Sequence, residues 1–279
     1  MRIVNEAALA NILRFSSVLL PAGFFVLALC EALRPARATT APLALRWFGN
    51  IAVFVLGWPI LALLPFLSAT GAAVIAREHG LGLLNMVSIS PAVAIPISVV
   101  ALDFVGYWEH RLLHSFQPFW RLHALHHSDT DLDVATYIRH HPLEVLIQAL
   151  LDALAVIAFG FSPVSVALFI AVTTVVQMIA HGNVELPKML RWVAPFVVTP
   201  ELHRLHHSRA FDENNANFSN TFPIWDRLFG TLRLQPRGEL LLGLPEFAET
   251  KFQRLDQMLM LPLRITGVPS TSRQSGLQS

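Results

Sequence analysis

Five long apolar stretches separated by short polar connections organise the chain, at about residues 13–33, 47–69, 84–108, 143–160 and 164–181. A helix needs about 20 apolar residues to cross a bilayer, so the first three are long enough to span. The last two are shorter and are joined by Gly160-Phe161-Ser162-Pro163. They predict a hairpin that either crosses and returns or dips deeply and returns, with both ends on one side. A weaker periodicity from Phe247 to Leu263, placing Phe252, Leu255, Met258 and Leu259 together, predicts an amphipathic helix.

The pattern therefore predicts an all-α, multi-span integral membrane helical bundle with a helical cap on its polar side. Residues 1–80 are expected to supply N-terminal spans and loops, 81–265 a functional domain, and 266–279 a disordered tail. Arg2 precedes the first stretch and Ala36-Arg37-Ala38 resembles a cleavage site. That apolar run is longer than the usual core of a signal peptide, so it reads as a retained span.

Composition agrees: of 279 residues, 54% are hydrophobic and only 14% charged, and the mean hydropathy is +0.53, too apolar for an ordinary soluble domain. Basic residues set the expected orientation. The loop after the first stretch carries Arg34, Arg37 and Arg46, and the loop after the second only Arg77. With the first loop in the cytoplasm, segments 109–142 and 182–279 fall there too. Arg2 and Arg14 then lie outside, which opposes the rule mildly. A net charge of +1 offers no field for nucleic acid. Cys30 is the sole cysteine, so an intramolecular disulfide and any cysteine-held metal cluster are excluded, leaving histidine and carboxylate as metal ligands.

Histidine is over-represented: eight of twelve fall in the strings His110/His114, His123/His126/His127 and His203/His206/His207. Residues three or four apart share a helix face and can converge on one ion. Adjacent residues such as His126 and His127 diverge by about 100° on an ideal helix, which suits two neighbouring ions. Eight imidazoles also exceed what one ion accepts. Imidazole serves both zinc and iron, and the spacing alone leaves open an iron oxidase, a zinc-binding or zinc-transporting protein, and a haem-binding electron carrier.

Six strings in order carry a resemblance. They are DFVGYWEHRLLH from Asp103 to His114, HALHHS from His123, RHHPLE from Arg139, QMIAHGN from Gln177, TPELHRLHHS from Thr199, and NFSNTFPIWDRLFGT from Asn217. Together they resemble the fatty acid hydroxylase and sterol desaturase superfamily over about residues 85–260. The resemblance implies a membrane oxidoreductase in which two iron ions on the cytoplasmic face use dioxygen to hydroxylate or desaturate a fatty acyl, sterol or isoprenoid lipid. An external donor would supply electrons: a cytochrome b5-like protein, a ferredoxin or a reductase. By motif position the ligands would be His110, His114, His123, His126, His127, His203, His206 and His207, with His141 and His181 as further ligands and His140 a variable neighbour. Zinc could substitute, and a structural member without catalysis is the remaining reading. Phe218-Ser219 departs from an Asn-Tyr-Gly string in many members, which puts a local turn in question.

Three polar residues are expected to support the ligands. Asp103 lies two turns before His110 on the same face and could accept an imidazole N–H. Glu144 could do the same, or cap the first helix of the hairpin. Asn183, with Glu185, could complete the site. Trp225, Asp226 and Arg227 are expected to pin the segment by packing and a charged pair.

Overall fold

A computed structural model describes residues 2–266, and all but the first residue of the expected tail lies outside that range. The described chain is all-α: no strand forms, and a lone antiparallel bridge links Ser208 to Leu242. Among the described residues, five helices are long and apolar enough to cross a membrane: Glu6–Leu33, Leu43–Leu63, Pro91–Ser115, Pro142–Phe159 and Pro163–His181. The helices are α1 (Arg2–Leu33), α2 (Leu43–Leu63), α3 (Ala69–Glu78), α4 (Pro91–Ser115), α5 (Gln117–His127), α6 (Pro142–Phe159), α7 (Pro163–His181), α8 (Pro200–His206), α9 (Phe211–Asn214), α10 (Ile224–Leu228) and α11 (Leu255–Arg264).

Local chemistry sets the boundaries that hydropathy alone misplaces. The second apolar stretch is expected to reach residue 69, yet α2 stops at Leu63 because Leu64 precedes Pro65, where the helical backbone is disfavoured. Ser68 then caps a helix that hydropathy did not predict, accepting the Gly71 N–H at 3.1 Å. That helix, α3, is too short to cross a bilayer. Its fully buried Ala72, Ala73 and Ala76 let it lie against α6 and α7. The third span starts at Pro91, a favoured first helical residue, and continues through His110 and His114 to Ser115.

The expected hairpin forms: Gly160 ends α6 in the left-handed conformation and the Ser162 hydroxyl caps α7. Gly82 (φ +90°) crosses this turn so closely that a Cβ there would sit 2.2 Å from the Gly160 nitrogen, so only glycine fits. The amphipathic helix is shorter than expected. Two 3-10 turns, Pro245–Phe247 and Thr250–Gln253, precede α11, which packs on α5 and α2. There Met258 and Leu261 join Trp120, Leu125, Val53 and Phe252 in one apolar cluster.

A buried polar network fastens the connection between α5 and α6 to α2. Arg46 Nε donates to Asp129 at 2.8 Å and its Nη2 lies 2.9 Å from Asp133, with neither end of the Arg46–Asp129 pair exposed. Arg139 donates to Leu125 O, Asn50, Gln253 and Ser128. Burial would push the Asp129 carboxyl up, but Arg46 and Arg139 outweigh it and hold it below the usual carboxylate range. Removing one partner of a buried ion pair leaves the other charge uncompensated. Arg46→Ala should therefore destabilise the protein by about 3–5 kcal/mol, read as a lower Tm in detergent; an unchanged Tm would show that the network contributes nothing to stability.

Candidate metal centre

Helix ends deliver the histidines. His110 and His114 occupy the last two turns of α4, and the single residue Phe116 separates that helix from α5, which carries His123, His126 and His127. His181 is the last residue of α7. Pro200 opens α8 and the Thr199 hydroxyl accepts the Leu202 N–H, starting a short helix that presents His203 and His206 and ends at His207.

Nine of these imidazoles sort into two adjoining groups, each with its ligand nitrogens within 4.8 Å of one another: His110, His114, His123, His127 and His206; and His126, His181, His203 and His207. The adjacent pairs His126/His127 and His206/His207 divide between the groups, as their angular separation on a helix requires. The groups touch, since the His127 and His207 rings stack with centroids 4.4 Å apart.

Within each group the Nε2 atoms face one another. The pairs are His110–His206 at 2.9 Å and His114–His127 at 3.2 Å, and then His126–His181 at 3.1 Å, His181–His203 at 2.9 Å and His203–His207 at 3.2 Å. Two nitrogens bound at right angles to one ion, each at about 2.1 Å, stand about 3 Å apart. The spacing fits a coordination shell.

Outer partners fix the tautomers. Nδ1 of His110, His206 and His181 donates to Phe218 O, Ala216 O and Gln177 O at 2.8, 2.8 and 2.7 Å. His123 Nδ1 donates to Glu144 Oε1 at 2.7 Å, leaving its buried Nε2 without a partner. In each ring the lone pair is thereby left on the inward nitrogen. Burial, then neighbouring imidazoles, drives His126, His127, His203 and His207 well below the usual histidine value, and burial takes His206 down to about 3. The rings are neutral, the form that binds metal.

The remaining expected site residues are placed differently. His141 joins neither group; its Nδ1 accepts the Leu143 N–H, capping α6, and its Nε2 lies 3.3 Å from Leu259 O. Its neighbour His140 instead stacks on His126 at 4.5 Å and donates to Glu144 at 3.0 Å. Asp103 touches no imidazole. It accepts from the backbone N–H of Thr221 and Phe222 and from Trp225 Nε1. Asn183 is away from the histidines, clamping both backbone groups of Arg37, while Glu185 is exposed. Asp226 and Arg227 pin the segment through backbone groups rather than through each other: Asp226 accepts from Phe218 N and Ser219 N, and Arg227 donates to Pro195 O. At the string where Ser219 replaces glycine, the left-handed residue is Asn217 (φ 55°), so the serine carries no strain.

A cavity of about 370 Å³ adjoins both groups between α4, α6 and α7. His110, His123, His126, His181 and His203 reach it, and so do Glu109, Gln148 and Asp152, which the sequence reasoning passed over. The signal was present, since carboxylates inside apolar spans are costly and seldom without a partner.

Residues 95–231 match the family model described as fatty acid hydroxylase. Ornithine lipid hydroxylase of Rhizobium tropici is 35% identical over 150 residues, covering 52% of this chain and 44% of that protein. Alkylglycerol monooxygenase of Xenopus tropicalis is 30% identical, covering 53% and 32%. Methylsterol monooxygenase 2-2 of Arabidopsis thaliana is 29% identical, covering 46% and 48%. The chain thus spans less than half the length of these relatives. No solved structure matches it.

His126 belongs to the four-membered group, so His126→Ala should lower the metal content measured by elemental analysis, whereas His141→Ala should leave it unchanged. Equal loss in both variants would contradict this grouping. The folded-state value of His206 lies below the ordinary 6.5, so the unfolded chain binds more protons between those values. Stability fully present above pH 6.5 should therefore be lost as pH falls toward about 3. Acid titration of the metal-stripped protein by circular dichroism checks this, and a flat response over that window would contradict it.

Proposed function

We propose, from the chain's membership of the fatty acid hydroxylase family through residues 95–231, that it is a membrane-bound di-iron oxidoreductase that hydroxylates or desaturates a lipid. The observation that carries this reading is the pair of adjoining all-imidazole groups opening on a cavity between spans. The relatives' names specify ornithine lipid, alkylglycerol and methylsterol, and a lipid of related character is the substrate class proposed here.

Bound iron would supply activation of dioxygen toward an unreactive C–H bond. In hydroxylation one oxygen atom enters the C–H bond and the other leaves as water, consuming two protons and two electrons from an external donor. The chain's residues provide the setting. His110, His114, His123, His127 and His206 would hold one ion and His126, His181, His203 and His207 the other. Glu144 orients His123 through its Nδ1. Leu102, Leu113, Val145, Phe54 and Phe169 line the cavity, excluding water from the reacting carbon.

The basic-residue asymmetry supports placing the histidine groups on the cytoplasmic side, where a soluble donor, cytochrome b5-like or a ferredoxin, would reach them. Residues 81–265 would form the catalytic domain, with residues 1–80 as flanking spans. Glu31 of α1 accepts from Asn183 N and Val134 N, so the flanking spans buttress the two connections that frame the site.

The test is lipid extraction from cells with and without the protein, with metal analysis of the purified chain. The expected result is a lipid shifted in mass by one oxygen or two hydrogens, dependent on His206, together with iron in the protein. An unchanged lipid profile with zinc as the bound metal would overturn the proposal in favour of a non-oxidative zinc protein, and a Soret band would point to haem.

A further inference from the structure

The chain has two tyrosines, Tyr107 and Tyr137, and both lie near the imidazole groups. The Tyr137 ring meets His181 with centroids 5.9 Å apart. Tyr107 is wholly buried on α4, one turn before His110. A single ring, Phe218, lies between it and the five-membered group. The Tyr107–Phe218 centroids are 6.3 Å apart, and Phe218 stands 5.8, 5.2 and 5.6 Å from His110, His114 and His206. Tyr107 also meets Trp108 edge-on at 5.6 Å, and Trp108 is 42% exposed. Rings at contact distance thus run from three ligand imidazoles through a phenol to an indole at the surface.

The hydrogen bonds of this phenol have a fixed direction. Thr231 Oγ1 donates to Asp226 Oδ1 at 2.7 Å, which commits its only hydrogen. The Tyr107 hydroxyl, 3.0 Å from the same Oγ1, is therefore the donor of that pair. Arg111 Nη1 donates to the phenolic oxygen at 3.4 Å, leaving the phenol hydrogen for Thr231. Asp226 accepts with both oxygens, from Phe218 N and Thr231 on Oδ1 and from Ser219 N on Oδ2, the pattern of a carboxylate. From Tyr107 through Thr231 to Asp226 runs a one-way path for a proton, ending on a buried base.

Tyr137 has no such path. Its hydroxyl donates to Thr174 Oγ1 at 3.3 Å, and among the described residues no carboxylate follows. The difference decides which ring can be oxidised. A phenol that loses an electron becomes a strong acid, and a radical cation kept in a dry interior would be an uncompensated buried charge. Oxidation is feasible only where the proton can leave with the electron, a condition that Tyr107 meets and Tyr137 does not. Packing alone asks for less, since one acceptor satisfies a buried phenol.

We propose that Tyr107 is a redox relay that gives one electron to the metal centre when dioxygen has been consumed and the cavity holds no lipid. The relay deepens the oxidase reading and rests on it for the oxidant, but not for the proton path. In the step the phenolic O–H bond breaks. The electron goes to the oxidised metal centre, the proton goes to Thr231 Oγ1, and Thr231 passes its own to Asp226. The products are a neutral tyrosyl radical, an unchanged threonine, a protonated Asp226 and a centre reduced by one electron. The one-electron donor of that reading, a cytochrome b5-like protein or a ferredoxin, returns an electron by way of Trp108, and Asp226 returns the proton. Oxidising power that meets no substrate is led outward along this path instead of being spent on the imidazoles.

The test is electron paramagnetic resonance of the full chain in dodecyl maltoside, prepared with unlabelled and with ring-deuterated tyrosine. In one arm zinc replaces iron, and flash-oxidised ruthenium tris(bipyridine) is the oxidant. In the other the reduced, iron-loaded protein is mixed with dioxygen without added lipid and frozen. Both arms should give a tyrosyl signal that narrows on ring deuteration, persists in Tyr137→Phe and is lost in Tyr107→Phe. Thr231→Val, which cuts the proton path, should lower its yield severalfold at equal metal content, and Thr231→Ser should restore it. No tyrosyl signal in the zinc arm, a signal lost in Tyr137→Phe instead, or full yield in Thr231→Val overturns the inference whatever metal the chain holds. A signal under light but none in iron protein that consumes dioxygen also overturns it, because the centre then draws nothing from Tyr107. Iron protein that consumes no dioxygen removes the oxidase reading, and the zinc arm then upholds or overturns the proton-coupled path by itself.

Discussion

Holding nine buried imidazoles in one volume is the constraint on which the rest of the structure turns. A proton gained by His127 or His207 would place a positive charge among closely packed neighbouring rings. Nitrogen lone pairs facing one another at about 3 Å are tolerable only when an electrophile lies between them. Burial deep enough to keep the rings neutral, and convergence tight enough to need an ion, are two sides of the same arrangement.

Orientation of the rings is delegated outward in stages. Asp103 sits within a span yet acts on the segment after Asn220, tying Thr221, Phe222 and Trp225 to α4. Asp226 gathers the N–H groups of Phe218 and Ser219. Between them they fix the loop whose carbonyls at Ala216 and Phe218 receive His206 and His110. Phe218 also lies against the His110, His114 and His206 rings, so one loop both aims and packs the five-membered group.

Much of this was legible in the order of residues. Spans follow from hydropathy, and two groups of histidines follow from adjacent pairs that cannot point the same way on one helix. What stayed hidden depended on tertiary neighbours. Helix α3 escapes a hydropathy reading because alanines and glycine score weakly even when wholly enclosed. Spacing cannot tell His140 from His141, since the choice is made by Pro142, which starts α6 and turns His141 into its cap. Asp103 and Asn183 were recognised as important positions, but their partners are backbone groups more than 100 residues away in sequence, which no local pattern encodes. Glu109 and Asp152 were readable as acidic residues inside apolar spans; that both line one cavity is set by the packing of α4 and α6.

The division of His126 from His127, and of His206 from His207, has a mechanical consequence. Each pair straddles the two groups through a single peptide link, so the spacing between the groups is set by covalent backbone on α5 and α8, helices that are not spans. Thinning or thickening of the bilayer would tilt α4 and α7 and shift His110, His114 and His181 within their own groups. The gap between the groups would hold, making the centre's internal geometry largely independent of the membrane in which it sits.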